Sequence, residues 1–301
     1  MAGDVHDVAI IGAGPAGVAA SVYLKRVGVD PLLLERNRVG GLLANANLVE
    51  NYPGFPYGVS GRDLVKLMDA QLRRWRIRVT RAGVERVALE DGLYRLETSR
   101  GEYSARFVIV ATGTRPKGIG LRGEELMAGK RLFSEVVQIP QALRGGTSLI
   151  IGGGDAAFDY ALNLAADGGS VSVIFKSGKP ACIPLLLARS RVERAIRLFP
   201  ETVPESVQEE NGKIVLACRK AGRRTSFRGD LVLIACGREP NLDFLPARLR
   251  RAALKGEAAP KTPRLFMAGD VKRGHYRQVG IAVGDGIAAA MAVAEQIHRE
   301  D

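Results

Sequence analysis

Residues Val5–Glu35 read VHDVAIIGAGPAGVAASVYLKRVGVDPLLLE. An apolar run, Val8 to Ile11, leads straight into Gly12-Ala13-Gly14-Pro15-Ala16-Gly17. Apolar residues then recur at helical spacing (Val18, Ala19, Val22, Tyr23, Val27), and a second apolar run, Leu32-Leu33-Leu34, ends on Glu35. The pattern predicts strand, glycine turn, helix, strand and acid. In G-x-G-x-x-G the glycines allow a tight turn, close approach of backbone to a pyrophosphate, and close helix–strand packing. The pyrophosphate is met by N–H groups at the positive end of the helix. Glu35 stands where a carboxylate accepts the ribose hydroxyls of an adenosine. A dinucleotide site is therefore expected here.

The chain has 301 residues, enough for about two domains that each bury a core. Its 46% hydrophobic content is ordinary for a globular protein. No continuous apolar run reaches the length of about 18 residues that reads as a bilayer span. The N-terminus lacks the basic region of a secretory signal, so a cytoplasmic enzyme without membrane attachment is expected. The formal charge is +12, which suits steering of an acidic partner such as a small electron-carrier protein. The densest basic run, Arg73-Arg74-Trp75-Arg76-Ile77-Arg78, reads as a solvated helix end leading into a strand rather than a nucleic-acid surface, because no nucleic-acid motif accompanies it. The three cysteines, Cys182, Cys218 and Cys236, are widely spaced. They indicate neither a disulfide framework nor a metal site. Cys236 is expected to be buried at a strand end. Cys182, in a loop flanked by proline, is the one candidate for a reactive thiol.

Further along, Glu50-Asn51-Tyr52-Pro53-Gly54-Phe55-Pro56 predicts an extended loop, and a helix is expected to start after Ser60-Gly61 and run to about Arg74. Residues 77–110 alternate as strands, with a turn at Glu90-Asp91-Gly92. Phe107 to Val110 forms an apolar strand ending at Ala111-Thr112-Gly113, where bare backbone admits a ligand. From Leu149 the opening unit recurs: apolar strand, Gly152-Gly153-Gly154-Asp155-Ala156-Ala157, a helix from Phe158 to Ala166, and the strand Val171 to Phe175. G-x-G-x-x-A is a variant that also binds pyrophosphate. Two such units mean two dinucleotides or one duplicated fold. β-segments are expected at 202–218 and 225–236, a strand at Leu265 to Met267 before Gly269-Asp270, and a final helix from Gly280 to His298.

Taken together, GAGPAG, Glu35, Gly40-Gly41, ENYPGFP, ATG, GGGDAA, CGREPN, AGD and YRQV resemble the low-molecular-weight thioredoxin reductase family over nearly the whole chain. The resemblance implies an α/β fold of two doubly wound, Rossmann-like domains. An FAD domain would be assembled from residues 1–116 and 241–301, with an NAD(P)-binding-like domain of residues 117–240 inserted into it. It implies that Gly12, Gly14, Pro15, Ala16, Gly17, Glu35 and Arg36 hold the adenosine and pyrophosphate of FAD. It places Gly40, Gly41, Leu42, Asn51, Val84, Ala111, Thr112, Gly113, Gly269, Asp270, Arg277, Gln278 and Val279 around the rest of the flavin. NAD(P)H would lie on Gly152, Gly154, Asp155 and Ala156, with Lys176 near its adenosine. A homodimer is also implied.

Three departures from the family pattern change the expected chemistry. The family's redox C-x-x-C, counted back from Gly152 without gaps, falls on Glu135 and Gln138. Neither can form a disulfide, and exchange needs a thiolate and a second sulfur. These two are candidate catalytic groups, with Glu135 a proton relay if it faces the flavin; otherwise 133–143 is a connector with exposed polar groups, and Cys182 acting with a partner thiol is a further alternative. Second, Phe175-Lys176-Ser177-Gly178-Lys179-Pro180-Ala181 keeps lysines but lacks the family's 2′-phosphate arginines at 177 and 181. Third, Leu42, Leu43, Asn45 and Asn47 replace glutamine and threonines, which would retune hydrogen bonding to the flavin. The sequence thus predicts an FAD-dependent oxidoreductase without a redox disulfide. Relatives of ferredoxin–NADP reductase type, or a flavin protein that has lost catalysis, are the alternatives.

Overall fold

A computed structural model of the chain describes residues 5–254 and 264–300. The described residues form two compact units: 5–44, 50–115, 239–254 and 264–300 in the first, and 45–49 with 116–238 in the second. The sequence placed 45–49 in the first. The difference has a local cause: the Asn45 side chain accepts from the Val137 N–H at 3.0 Å, and Asn163 donates to the Asn45 carbonyl.

The first unit opens with β1 (Val5–Ile11), α1 (Pro15–Arg26) and β2 (Leu32–Glu35). Pro15 at the first helical position has its φ pre-set for a helix, and Lys25 and Arg26 sit in the last turn, where cations meet the negative end of the dipole. The long helix α2 (Gly61–Arg74) is capped by Ser60, whose side chain accepts from the Asp63 N–H. Leu64, Met68 and Leu72, four residues apart, form its buried face. Trp75 ends the helix, and the buried Ile77 follows it towards β3 (Val79–Arg81).

β4 (Val84–Glu90) and β5 (Leu93–Thr98) form a hairpin over Asp91-Gly92, both with positive φ, as a two-residue turn of this twist requires. β6 (Gly101–Val110) does two jobs. Its first half pairs antiparallel with β5, and its second half pairs parallel with the late strand described below. Along its other edge it runs parallel to β1.

A short strand β7 (Thr114–Pro116) leads into the second unit, which carries α3 (Glu124–Met127), β8 (Leu132–Phe133), β9 (Thr147–Ile151), α4 (Asp155–Ala166), β10 (Ser170–Ile174), α5 (Pro184–Val192) and β11 (Ile196–Phe199). β12 (Thr202–Glu210), β13 (Lys213–Lys220) and β14 (Arg223–Gly229) form an antiparallel meander before β15 (Leu231–Ile234). The β-segment expected across 202–218 is therefore two strands, broken at Asn211-Gly212, both in left-handed conformation. The helix expected from Phe158 begins at Asp155. The parallel sheet runs β11-β10-β9-β15-β8. Its pleat points Ile150 towards α4 and Leu149 and Ile151 towards the meander, giving one core on each face. The segment expected as an exposed connector contributes to the first of these cores through the buried Val136 and Ile139.

The chain returns through β16 (Arg238–Pro240), which pairs with β7 in a two-stranded ribbon. It finishes the first unit with α6 (Ala247–Leu254), β17 (Leu265–Met267) and α7 (Val279–Glu300). β17 is the strand parallel to the second half of β6. The 22-residue α7 is long and apolar enough to cross a membrane by length and composition. It packs along α1 and buries Asp285 together with Ala282, Ala289, Ala290 and Val293, which marks it as a core helix.

Candidate functional site

The first glycine turn closes between β1 and α1. Gly12 has φ +106°, and a Cβ there would lie 2.5 Å from the Ala111 carbonyl oxygen. A Cβ on Gly17 would lie 1.8 Å from the Gly12 carbonyl oxygen, so glycine lets α1 sit directly on the turn. Gly14 is different. Its backbone is extended and a Cβ would meet nothing within 4 Å. The protein itself does not require glycine there, whereas close approach of a pyrophosphate does. Glu35 accepts from the Ala13 N–H at 2.8 Å and the Asn37 N–H at 2.7 Å, holding the turn while a carboxylate's further lone pairs stay able to accept hydroxyls.

The other residues expected on the flavin side make the following contacts within this unit. Arg36 lies across Gly83, next to Val84, where a Cβ would come within 3.0 Å of its Nε. The Gly40 N–H donates to the Ala13 carbonyl at 2.8 Å, and Gly41 and Leu42 begin the turn that follows. Ala111 donates to the Ile11 carbonyl at 2.8 Å, Thr112 donates through its hydroxyl to the Asn241 carbonyl at 2.7 Å, and the Asn241 N–H returns to the Gly113 carbonyl at 3.1 Å. Asn51 donates to the Gln278 side chain at 3.0 Å, just ahead of Val279 at the start of α7, and Arg277 donates to the Gly274 carbonyl.

The sequence reading missed Asp285, which organises the Gly269-Asp270 turn. It is 6% exposed, accepts from the Gly269 N–H at 3.2 Å, and pairs with Arg273, whose Nε is at 2.8 Å. Burial pushes its carboxyl upward, but Arg273, Lys272 and the Gly269 N–H outweigh that and hold it below the usual aspartate value. Its only sequence signal is a lone acid in the apolar run that opens α7.

The second turn repeats the first. A Cβ on Gly152, at φ +146°, would lie 2.5 Å from the Ala235 carbonyl oxygen, while a Cβ on Gly154 would meet nothing within 4 Å. Ala157 is fully buried at the third motif position and Ala156 beside it is exposed. The loop after β10 folds back over this turn: the Ala181 N–H donates to the Gly153 carbonyl at 2.7 Å, and the Ile183 N–H to Asp155 at 2.8 Å. Lys176 and Lys179 stand exposed on this loop. Burial and the neighbouring Asp155 push the Cys182 thiol up, so it is not an activated nucleophile. Cys236, expected to be buried, lies exposed just past β15, its thiol directed at the Ile151 carbonyl, because the strand has already ended at Ile234.

Glu135 pairs with Arg238 at 3.1 Å, and the Gln138 side-chain carbonyl accepts from the Ser134 N–H at 3.2 Å. Asn47, expected beside the flavin, instead donates its N–H to Asp159 at 3.0 Å within the second unit. Burial pushes Asp159 up to about 6, against the pull of the Asn47 and Leu48 N–H groups. This value lies above the 3.8 of an ordinary aspartate, so between the two the native state holds a proton that the unfolded chain has lost. Stability contributed by Asp159 is therefore full below pH 4 and falls by roughly 3 kcal/mol as pH rises to about 6. Urea unfolding of wild type and Asp159→Asn at pH 4 and pH 7 measures this. The stability of the variant relative to wild type is expected to rise between the two, and a difference independent of pH would exclude the assignment.

Residues 6–286 match the family described as pyridine nucleotide-disulphide oxidoreductase. The chain belongs to that family. It is 31% identical to thioredoxin reductase of Bacillus subtilis (strain 168), over 96% of this chain and 94% of that protein. The structure matches that of Lactococcus lactis thioredoxin reductase with a TM-score of 0.87 and 27% identity, covering 98% of this chain and 99% of the other. Bacillithiol disulfide reductase Bdr from Bacillus cereus, at 20% identity and a TM-score of 0.75 over 99% and 100% of the two chains, shares the fold. The thioredoxin reductases use FAD and NADPH, and in this chain the backbone at Gly14 and Gly154 is open, with nothing within 4 Å of a Cβ at either. This member has no C-x-x-C, and Cys182, Cys218 and Cys236 are all free.

Proposed function

We propose that this oxidoreductase takes electrons from NAD(P)H through FAD to a separate acceptor, without a redox disulfide of its own. The observation that carries the reading is the contrast between two intact dinucleotide turns and the pair Glu135 and Gln138 where the resemblance puts the redox cysteines. Glu135 is committed to Arg238, and Gln138 to the Ser134 backbone. Without two neighbouring sulfurs the family's internal exchange step has no route. FAD, when bound, supplies a ring that takes two electrons as hydride and can release them singly or together. The chain's own part is positional. Gly12 to Gly17 and Glu35 hold the adenosine end of the flavin, the strand ends at Ala111 to Gly113 and Gly269-Asp270 shape its other end, and Gly152 to Ala156 receive the nicotinamide nucleotide. The charge of +12 favours an acidic one-electron carrier as acceptor. A cytoplasmic homodimer fits the resemblance.

Anaerobic stopped-flow mixing of the flavin-loaded protein with NADPH and NADH separately tests this. Bleaching of the flavin within seconds by at least one donor is the expected result. Normal photoreduction with no bleaching by either would overturn the reading and leave a flavin protein without nicotinamide-dependent catalysis.

A further inference from the structure

The loop after β10 lacks the arginines of a 2′-phosphate clamp, yet the fold brings other cations to the same sheet edge. The Phe175 carbonyl, one residue before Lys176, accepts from the Thr202 N–H at 3.0 Å, and the Ser177 carbonyl accepts from the Glu201 N–H at 3.2 Å. Thr202 starts β12 and is the cross-strand partner of Lys220, which in turn is the partner of Arg223. Strand alternation puts Lys220 on the face that buries Leu216 and Cys218, and Arg223 on the face of Phe227. Phe227 packs edge-on against Phe199, with ring centroids 4.7 Å apart, and the Phe199 carbonyl accepts from the Phe175 N–H. Both cations therefore continue the inward face of the meander past its core, at the end of β10 where Lys176 and Lys179 emerge.

Two like charges directly opposite on neighbouring strands repel. Elsewhere on the meander most cations are paired, Lys213 with Asp230 at 2.6 Å, Arg219 with Glu205 at 2.7 Å and Arg228 with Glu210 at 3.0 Å, while Arg224 stands opposite Arg219 on the outer face. Among the described residues no carboxylate forms a salt bridge with Lys220 or Arg223. One acid stands nearby, Glu201, whose Oε1 lies 3.5 Å from the position of a Gly178 Cβ. Four cations against one carboxylate favour a dianion over a ribose hydroxyl.

We propose that Lys220 and Arg223, with Lys176 and Lys179, form the site for the 2′-phosphate of NADPH, so that the meander replaces the loop arginines. Arginine near the end of the second Rossmann strand is what accommodates that phosphate in other dinucleotide folds, and its planar fork suits a phosphate better than lysine alone. The inference deepens the reading that NAD(P)H occupies the second turn, and its test does not depend on electron transfer.

Calorimetric titration of the FAD-loaded protein with adenosine 2′,5′-bisphosphate and with 5′-AMP separates the phosphate from the rest of the nucleotide. Wild type is expected to bind the bisphosphate at least tenfold more tightly. Lys220→Gln with Arg223→Gln, both at exposed positions, should remove most of that preference while leaving AMP within twofold. Arg224→Gln removes one charge from the same hairpin on its outer face, opposite Arg219, and should leave the preference intact. An equal loss in Arg224→Gln would reduce the effect to general surface charge and overturn the site. So would a wild type that binds AMP as tightly as the bisphosphate, an outcome that would point to Glu201 and NADH. If NADPH fails to bleach the flavin but the bisphosphate preference follows Lys220 and Arg223, the catalytic reading fails and the phosphate site stands.

Discussion

Gly17→Ala will purify without flavin and with a markedly lowered melting temperature. Helix propensity alone predicts the opposite, since alanine in place of glycine inside a helix gains about 1 kcal/mol. The steric term decides. The new Cβ would lie 1.8 Å from the Gly12 carbonyl oxygen, an atom of backbone that cannot rotate away. Overpacking against side chains costs about 1–3 kcal/mol, and here the only relief is to lift α1 off the turn that shapes the pyrophosphate cradle. Gly14→Ala is the matching contrast. Its Cβ enters open space, so the melting temperature of the flavin-free protein should stay near wild type while the affinity for FAD drops at least tenfold. Flavin content from the visible-to-ultraviolet absorbance ratio, with thermal unfolding of both apoproteins, reads the two effects separately. Stoichiometric flavin in Gly17→Ala would refute the assignment of that glycine.

Asp285→Asn is expected to destabilise the protein by roughly 2–3 kcal/mol at pH 7. Removing one partner of a buried ion pair costs about 3–5 kcal/mol, and the figure is reduced here because Arg273 is partly exposed and stays hydrated. The sign of the pH dependence follows from the direction of the shift. The folded carboxyl is held below 3.8, so its stabilisation is complete above that value and disappears as pH falls through the folded value. The deficit of the variant should therefore shrink in acid. Urea unfolding at pH 7 and pH 3 measures it, and the visible spectrum reports whether the Gly269-Asp270 turn still retains flavin. An unchanged deficit at pH 3 would mean that packing, not charge, sets the cost.

The two glycine turns were legible in the sequence because each glycine answers a local steric demand repeated at fixed spacing. Helix α2 was legible through the helical spacing of its apolar residues, whereas the Ser60 cap emerged only with the structure. Asp285 was not, because its partners Arg273 and Gly269 meet it only once α7 has packed on α1. Asn45 and Asn47 were read as neighbours of the flavin from their place after Gly41, but their hydrogen bonds are to Val137, Asn163 and Asp159, far away along the chain. Lys220 and Arg223 were invisible as a pair with Lys176 for a similar reason: strand register, not sequence distance, decides which cations share an edge. Cys236 was misplaced by a boundary error of two residues at the end of β15.

The ribbon of β7 and β16 is bracketed by two backbone bonds, Asn241 to Gly113 and Lys117 to Gly237, each 3.1 Å long. The long segment of the second unit, residues 116–238, thus opens and closes at this one doorway, with both jambs fixed by pairing. Closing a longer loop through an already fixed pair of ends adds little entropy, since the penalty grows only with the logarithm of loop length. The host does not register how much chain lies beyond the door. Extra chain inserted between 117 and 237 is therefore expected to leave the stability of the first unit almost unchanged.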